Sequence, residues 1–187
     1  MTQTFPLGAW FGLKVSISLF SLICFMVVIP LTALLGRLWL ALDPGSAWVA
    51  GSFCSLAWFL SDYLHQCGHA LAARRVGYPM TGIHFHSVFS ASLYPADEPP
   101  LPARIHIARA LGGFWVNVLI GALLIPAAIN LWPMGGVIAW VTAVTAVWNL
   151  FILGLGALLP IDIPGVITID GGTIRRYLRD NRHSGSS

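Results

Sequence analysis

The 187-residue chain is dominated by apolar residues: 57% are hydrophobic and only 9% carry a charge. Soluble globular proteins carry about a quarter of their residues as Asp, Glu, Lys and Arg. The composition therefore excludes a soluble cytosolic enzyme, a disordered segment and a disulfide-stapled secreted module. The basic residues behind the net charge of +3 are too few and too scattered to bind nucleic acid. The sequence predicts a single α-helical polytopic domain, residues 1–187, in a lipid membrane.

Two helices are predicted to cross the membrane in the first half of the chain. Residues 15–36 form a run of 22 uncharged residues, and a hydrocarbon core needs about 20. A second span is predicted over residues 44–73, because Asp43-Pro44-Gly45 is typical of a turn whose proline suits the first turn of a helix. Gly77 and Pro79 are expected to end the helical pattern.

The pattern changes after the second span. Residues 78–95 alternate roughly between apolar and polar side chains, which predicts a short β-hairpin. The 52 uncharged residues from 110 to 161 are too many for one span and are interrupted at 130–136 by a turn-like stretch. The sequence therefore predicts a third span over residues 103–131, a fourth over 136–159, and a basic cytoplasmic tail over 173–187.

The distribution of basic residues predicts the topology. Four spans place the N-terminus, the 74–109 connection and the C-terminus on one side, together with nine of the ten lysines and arginines. Only Arg37 lies opposite. Because cytoplasmic loops carry an excess of positive charge, both termini are expected in the cytoplasm. The expected location is the plasma membrane of a bacterium or an archaeon.

Two histidines on the second span have the spacing of a metal site. His65 and His69 are related as i and i+4, so both imidazoles can reach one metal ion, and this spacing suits zinc. Each histidine could instead make a hydrogen bond that packs two helices. Ionisable groups within membrane spans are uncommon and usually functional, and this context favours the metal site.

The residue after the first histidine departs from the pattern of zinc proteases. In H-E-x-x-H enzymes a glutamate at this position accepts a proton from zinc-bound water. Here the position is occupied by Gln66. An amide can hold a water molecule but has no basic site for its proton. The sequence therefore predicts a zinc site without its usual proton acceptor.

Four motifs follow one another between residues 55 and 178: H-Q-C-G-H-A at 65–70, G-F-W-V-N at 113–117, A-L-L-P at 157–160 and D-G-G at 170–172. In this order they resemble the motifs of the site-2 protease family, the zinc-dependent intramembrane metalloproteases. The resemblance implies a site-2-protease-like core, in which a short sheet follows the zinc-binding helix.

The resemblance also implies roles for individual residues. His65 and His69 would bind zinc with Asp170 as the third ligand, and Asn117 would orient the substrate or stabilise the oxyanion. The predicted topology agrees, because the histidine pair and Asp170 are expected at the same end of the bundle. Asp162 is an alternative third ligand, since the stretch before Asp170 is longer than in the family.

One acidic residue shares the helix face of the histidines. Asp62 lies three residues before His65. It is interpreted either as a cap or a partner of an arginine such as Arg109, or as a carboxylate that orients a metal-bound imidazole. In a third interpretation, Asp62 is a general base that lies at a different position from the usual glutamate.

The departures from the family pattern favour a naturally diverged pseudoprotease over an engineered knockout. A designed variant would leave the other motifs intact, whereas here Phe114 replaces a proline and Ala157 an asparagine. The expected function is a proteolytically inactive homologue that binds a transmembrane segment of a protein partner or substrate by strand addition. One alternative is an accessory subunit of a larger membrane complex with a vestigial metal site. Another is an active protease in which Asp62 or another group replaces the glutamate.

Overall fold

The computed structural model describes residues 3–163 and 167–184 of the chain. Most of these residues are helical, and short strands lie before the first helix, after the second and before the last. The helices are α1 (Leu19–Leu40), α2 (Pro44–Arg75), α3 (Ala103–Leu131), α4 (Gly136–Val147) and α5 (Asp170–Ser184). The strands are β1 (Thr4–Trp10), β2 (Leu13–Ser18), β3 (Gly82–Phe85), β4 (Ser90–Leu93), β5 (Asp162–Ile163) and β6 (Ile167–Thr168).

Three helical stretches are long and apolar enough to cross a membrane: Leu19–Leu40, Ala103–Met134 and Gly136–Leu158. The last includes α4, the wider π-helical turns that follow it, and a tighter 3-10 turn that ends at Leu158. These stretches expose large apolar side chains, such as Met26 and Leu123, as a lipid-facing surface requires. The chain is therefore a membrane protein. The polar C-terminal half of α2 leaves the expected count of four spans a prediction.

The first predicted span begins too early. Residues 13–18 form β2, and the helix begins at Leu19. Leu13, Val15 and Ile17 are buried whereas Lys14 is exposed, which is the alternation of a half-buried strand. Ser18 then caps α1, because its Oγ accepts the backbone N–H of Ser21 at 3.0 Å.

The strands before α1 join the predicted hairpin in one mixed sheet with the order β1-β2-β3-β4. The hairpin lies within residues 78–95 as β3 and β4, which pair antiparallel, while β2 and β3 pair parallel. The sheet packs against α1 and α2 through an aromatic cluster in which the rings of Phe59 and Phe85 stack at 4.6 Å. This packing brings the edge strand β4 beside the polar half of α2.

Glycines allow α2 and α3 to approach closely. A Cβ atom at Gly112 would stand 2.5 Å from the carbonyl oxygen of Gly68, and a Cβ atom at Gly68 would meet the carbonyl oxygen of Gly112. Small residues at such crossings bring helix backbones together in membranes. Because Ser61 contacts Asn117 while Gly68 contacts Gly112, the two helices run antiparallel.

The predicted tail over 173–187 is also revised. The structure places Asp170–Ser184 in α5, a helix with an acidic residue in its first turn, where the helix dipole favours negative charge. The ring of Tyr177 stacks on that of His106 from α3 at 4.0 Å, which holds α5 against the bundle. Residues 185–187 of the predicted tail lie outside the described residues.

Candidate metal centre

Two ligand candidates come from α2 and a third from the first residue of α5. The Nε2 atoms of His65 and His69 lie 3.0 Å apart. The carboxylate of Asp170 lies 3.3 Å from Nε2 of His65 through Oδ2 and 3.4 Å from Nε2 of His69 through Oδ1. One ligand atom from each residue lies within 4.8 Å of the others. The structure thus brings together the three residues to which the resemblance assigns zinc.

Hydrogen bonds fix the orientation of both imidazoles. Nδ1 of His65 lies 2.7 Å from Oδ1 of Asn117, and Nδ1 of His69 lies 2.8 Å from the backbone carbonyl oxygen of Arg109. Because both partners are acceptors, each Nδ1 carries the proton. The backbone N–H of Gly113 also approaches Nδ1 of His69, at 3.3 Å, but the shorter contact with the carbonyl decides the tautomer. Both Nε2 atoms therefore direct a lone pair towards Asp170.

A chain of buried amides stands behind His65. Asn117 and Asn149 are 0% exposed. The amide nitrogen of Asn117 donates to Oδ1 of Asn149 at 2.7 Å, and that of Asn149 donates to Oγ of Ser61 at 2.8 Å and to the carbonyl oxygen of Thr145 at 2.9 Å. Hydrogen bonds thereby connect three helical segments to the imidazole of His65. The role of Asn117 in substrate or oxyanion orientation stays a prediction, because both of its polar atoms are engaged inside the bundle.

Close backbone approaches set the positions of the ligand candidates. A Cβ atom at Gly113 would stand 2.5 Å from Nε2 of His65, so only glycine leaves room for the imidazole there. Cβ atoms at Gly171 and Gly172 would collide with backbone carbonyls of Leu158 and Ile161. The two glycines after Asp170 thus let the start of α5 pack against the end of the preceding helix.

Asp62 is buried at 1% exposure and lines the same cavity as the histidines. Its Oδ2 has no hydrogen-bond partner among the described residues. Within the described residues, the guanidinium of Arg109 forms its ion pair with Glu98 and not with Asp62. The orienting and basic roles of Asp62 stay predictions.

Gln66 is hydrogen-bonded to the edge strand. Its Nε2 donates to the carbonyl oxygen of Ser90 at 3.2 Å, and its Oε1 accepts the hydroxyl of Ser92 at 2.6 Å. A glutamate could accept from Ser92 but could not donate to the Ser90 carbonyl. The amide therefore matches both polar partners that β4 offers at this position.

Arg109 clasps the loop that follows β4. Its guanidinium donates to both carboxylate oxygens of Glu98, one at 2.9 Å, and to the carbonyl oxygen of Tyr78 at 2.7 Å. The same group lies 4.0 Å from the centroid of the Tyr94 ring. The hydrogen bonds from Arg109 hold the pKa of Glu98 below its usual value. The backbone carbonyl of Arg109 also accepts the hydrogen bond from Nδ1 of His69. The ion pair with Glu98 therefore lies next to the ligand candidates.

A cavity of about 750 Å³ opens onto the cluster. It is lined by Asp62, Gln66 and the ligand candidates, by Ser90–Ser92 of β4, by Tyr94, Glu98 and Arg109, and by apolar residues between Phe151 and Ile161. Within the described residues, β4 is the last strand in its sheet. The cavity therefore combines a polar floor, an apolar wall and a strand edge.

The donor set fits a zinc ion. Two neutral imidazole nitrogens and a carboxylate oxygen are the protein ligands of many catalytic zinc sites, which leave a fourth position to water or substrate. Oδ2 of Asp170 is buried without a hydrogen-bond partner among the described residues, and a cation between the three groups would satisfy it. Asp162 lies elsewhere, since its carboxylate pairs with Arg176 at 2.7 Å.

Comparisons with known proteins address the fold. No model of a known protein family matches the chain, and no curated protein matches it. Among solved structures, the chain is similar to a site-2 protease from Methanocaldococcus jannaschii, with a TM-score of 0.59 and 19% sequence identity. The match covers 96% of this chain and 73% of that chain. The chain therefore has the fold of a site-2 protease, which confirms the resemblance found in its motifs at the level of the fold.

Proposed function

We propose that this protein is a site-2-protease-like membrane protein that holds zinc and binds an extended membrane-protein segment without hydrolysing it. His65, His69 and Asp170 would hold the ion, which would supply a Lewis acid at the floor of the cavity. The observation that carries this proposal is the pair of hydrogen bonds between Gln66 and β4. The side chain at the position of the usual base is committed to binding the strand.

The edge strand supports the second half of the proposal. An extended peptide can add to an exposed sheet edge through main-chain hydrogen bonds, and β4 presents such an edge to the cavity. The apolar wall, which includes Phe151 and Leu153, suits the side chains of a segment that comes from the membrane. A partner held there would lie beside the metal ligands.

The first experiment measures zinc. The chain is purified in mild detergent without chelator, and zinc per chain is determined for the wild type and for His65→Ala/His69→Ala. We expect about one zinc per wild-type chain and none in the double variant. A wild type without zinc would overturn the metal-binding part and would favour an accessory subunit with a vestigial site.

The second experiment measures strand addition with a defined probe, a peptide hydroxamate with apolar side chains. We expect it to raise the unfolding temperature of the zinc-loaded protein. The same probe with methylated backbone nitrogens loses the strand-pairing N–H groups but keeps the hydroxamate, so we expect at least tenfold weaker binding. Equal binding of the two probes would exclude pairing with β4.

The third experiment tests inactivity. Cleavage of a fluorogenic apolar peptide by the wild type is compared with cleavage by the zinc-free double variant. We expect equal background rates. Zinc-dependent cleavage by the wild type would show an active protease and would make Asp62 the next residue to substitute.

A further inference from the structure

Helix α5 carries a stripe of apolar and basic side chains that contains none of the metal-ligand candidates. Ile174, Arg175, Leu178 and Arg179 recur at the spacing of one helix face. Together with Gly171 and with Leu158 from the end of the stretch Gly136–Leu158, they line a pocket of about 540 Å³. The pocket therefore has both apolar and cationic walls.

The two arginines of this stripe are exposed and have no hydrogen-bond or ion-pair partner within residues 3–163 and 167–184. Arg176, on another face of the same helix, differs because it pairs with Asp162. Two guanidinium groups one helical turn apart can together bind a phosphate group. The charge of the stripe thus fits an anion.

The stripe contains one exposed leucine and adjoins two others. Leu178 is 49% exposed, and Leu155 and Leu159 next to the pocket are 48% and 53% exposed. Leu155 lies near the end of the stretch Gly136–Leu158, which is long and apolar enough to span a membrane, and Leu159 follows that stretch directly. Amphipathic helices of this kind lie in the plane of the interface, with arginines at the level of the headgroups.

The stripe is held in place by the rest of the bundle. Tyr177 stacks on His106, and the close packing of Gly171 and Gly172 fixes the start of the helix. The arginines are therefore presented from a helix that is already anchored, so binding there does not have to order the helix first.

We propose that this pocket binds the headgroup of an anionic phospholipid. Arg175 and Arg179 bind the phosphate, while an acyl chain lies along Leu158 and Leu178. Anionic lipid attracts basic residues next to a membrane segment, and this pocket adds a defined apolar contact to that attraction. None of the residues that line this pocket is a metal-ligand candidate. The proposal of lipid binding can therefore be tested whether or not zinc is bound.

Native mass spectrometry of the full chain in mild detergent tests the proposal. The probes are dioleoyl phosphatidylglycerol, dioleoyl phosphatidylcholine and inorganic phosphate. We expect phosphatidylglycerol to bind at least tenfold more tightly than phosphatidylcholine. Arg175→Gln/Arg179→Gln should weaken its binding on the order of tenfold, since each arginine near the surface contributes several-fold in affinity.

The matched control is Arg75→Gln/Arg104→Gln, which removes two exposed arginines outside the pocket and makes the same change in charge. We expect less than a twofold effect. Arg175→Lys/Arg179→Lys should keep most of the binding, which separates loss of charge from misfolding. Equal losses of phosphatidylglycerol affinity in both glutamine variants would show that the lipid responds to general surface charge. That result would overturn the proposal of a defined site. Equal binding of both lipids, or displacement of phosphatidylglycerol by millimolar phosphate, would also overturn it.

Discussion

Nδ1 of His65 lies 2.7 Å from Oδ1 of Asn117, and this contact determines which nitrogen of the imidazole is left to bind a metal. An amide oxygen accepts a hydrogen bond and cannot donate one. The proton of His65 is thereby held on Nδ1, and Nε2 faces His69 and Asp170. Asn149 in turn fixes the amide of Asn117, so the imidazole of His65 is oriented by residues from two further helical segments.

Removal of this support should weaken zinc binding. We expect Asn117→Ala and Asn149→Ala each to lower zinc affinity, on the order of 10- to 100-fold for the residue that contacts the ligand and less for Asn149. Competition with a chromophoric chelator measures the affinity. Asn130→Ala is the control, because Asn130 is exposed on the same helix as Asn117 and its side chain donates to the carbonyl of Pro126. An unchanged zinc affinity in Asn117→Ala would show that the contact between His65 and Asn117 does not control the tautomer that binds the metal.

Gln66→Glu should destabilise the protein. The substitution replaces the donor to the Ser90 carbonyl with an oxygen and leaves that acceptor unpaired beside a buried carboxylate. The cost of an unpaired buried group is about 1–3 kcal/mol, and we expect a lower unfolding temperature in detergent at neutral pH. Ser92→Ala provides the comparison, since it removes only the hydroxyl donated to Oε1 and should cost less. Equal stability of Gln66→Glu and wild type would show that the amide does not hold β4.

The sequence predicted helices well where charge marks their ends. Spans 103–131 and 136–159 agree closely with the helical stretches observed, because the uncharged run and the Gly-Gly turn are local signals. The sequence analysis did not predict β2, because residues 15–18 belong to a long apolar run. Val15 and Ile17 fit a membrane helix as well as they fit a strand. Among the strands that the structure describes, β1 pairs with β2 alone, and nothing in its own residues shows that partner.

The site was predictable in part. The i, i+4 spacing predicted His65 and His69 as ligand candidates, the motif order predicted Asp170, and the structure brings the three side chains together. Asn149 was missed, although a buried asparagine in an apolar span is itself a functional signal. The sequence could not show that it meets Asn117, since that contact depends on the crossing of two helices. The pairing of Gln66 with β4 likewise depends on a tertiary contact between a helix and a strand.

The glycine contact between α2 and α3 should be intolerant of substitution. In Gly112→Ala the new methyl group would stand 2.5 Å from the carbonyl of Gly68. The helices would have to separate, at a cost of about 1–3 kcal/mol or more. We expect a lower unfolding temperature together with weaker zinc binding, because His65 and His69 flank the contact. Gly45→Ala is the control at an exposed helix start, where only the side chain of Asp43 is near. A Gly112→Ala variant of wild-type stability would contradict the close crossing.

The Glu98–Arg109 pair should make stability depend on pH. The pKa of Glu98 is lowered from its ordinary value of 4.5 by the guanidinium, so the folded state favours the charged carboxylate. The stabilisation is fully present above the ordinary pKa and is lost as the pH falls through the lowered one. We expect Glu98→Gln to be less stable than the wild type at pH 7 and the difference to shrink towards pH 3. Unfolding temperatures across this range measure it. Asp97→Asn, at the exposed neighbour, is the control for loss of one carboxylate from the same loop, and a difference for Glu98→Gln that stays constant with pH would contradict the ion pair.

Two aspartates that compete for the third ligand position should be separable by one measurement. The carboxylate of Asp170 lies within 3.4 Å of both histidine Nε2 atoms, whereas that of Asp162 pairs with Arg176. We expect Asp170→Asn to abolish stoichiometric zinc, because an amide is a poorer ligand than a carboxylate for this ion. Asp162→Asn should retain about one zinc per chain, and its ion pair, which is partly exposed, should contribute about 0–1 kcal/mol to stability. Zinc analysis of both variants after gel filtration in the absence of chelator distinguishes them. Loss of zinc in Asp162→Asn with retention in Asp170→Asn would reassign the ligand. The longer stretch before Asp170 would then have moved the metal-binding carboxylate towards the end of the stretch Gly136–Leu158.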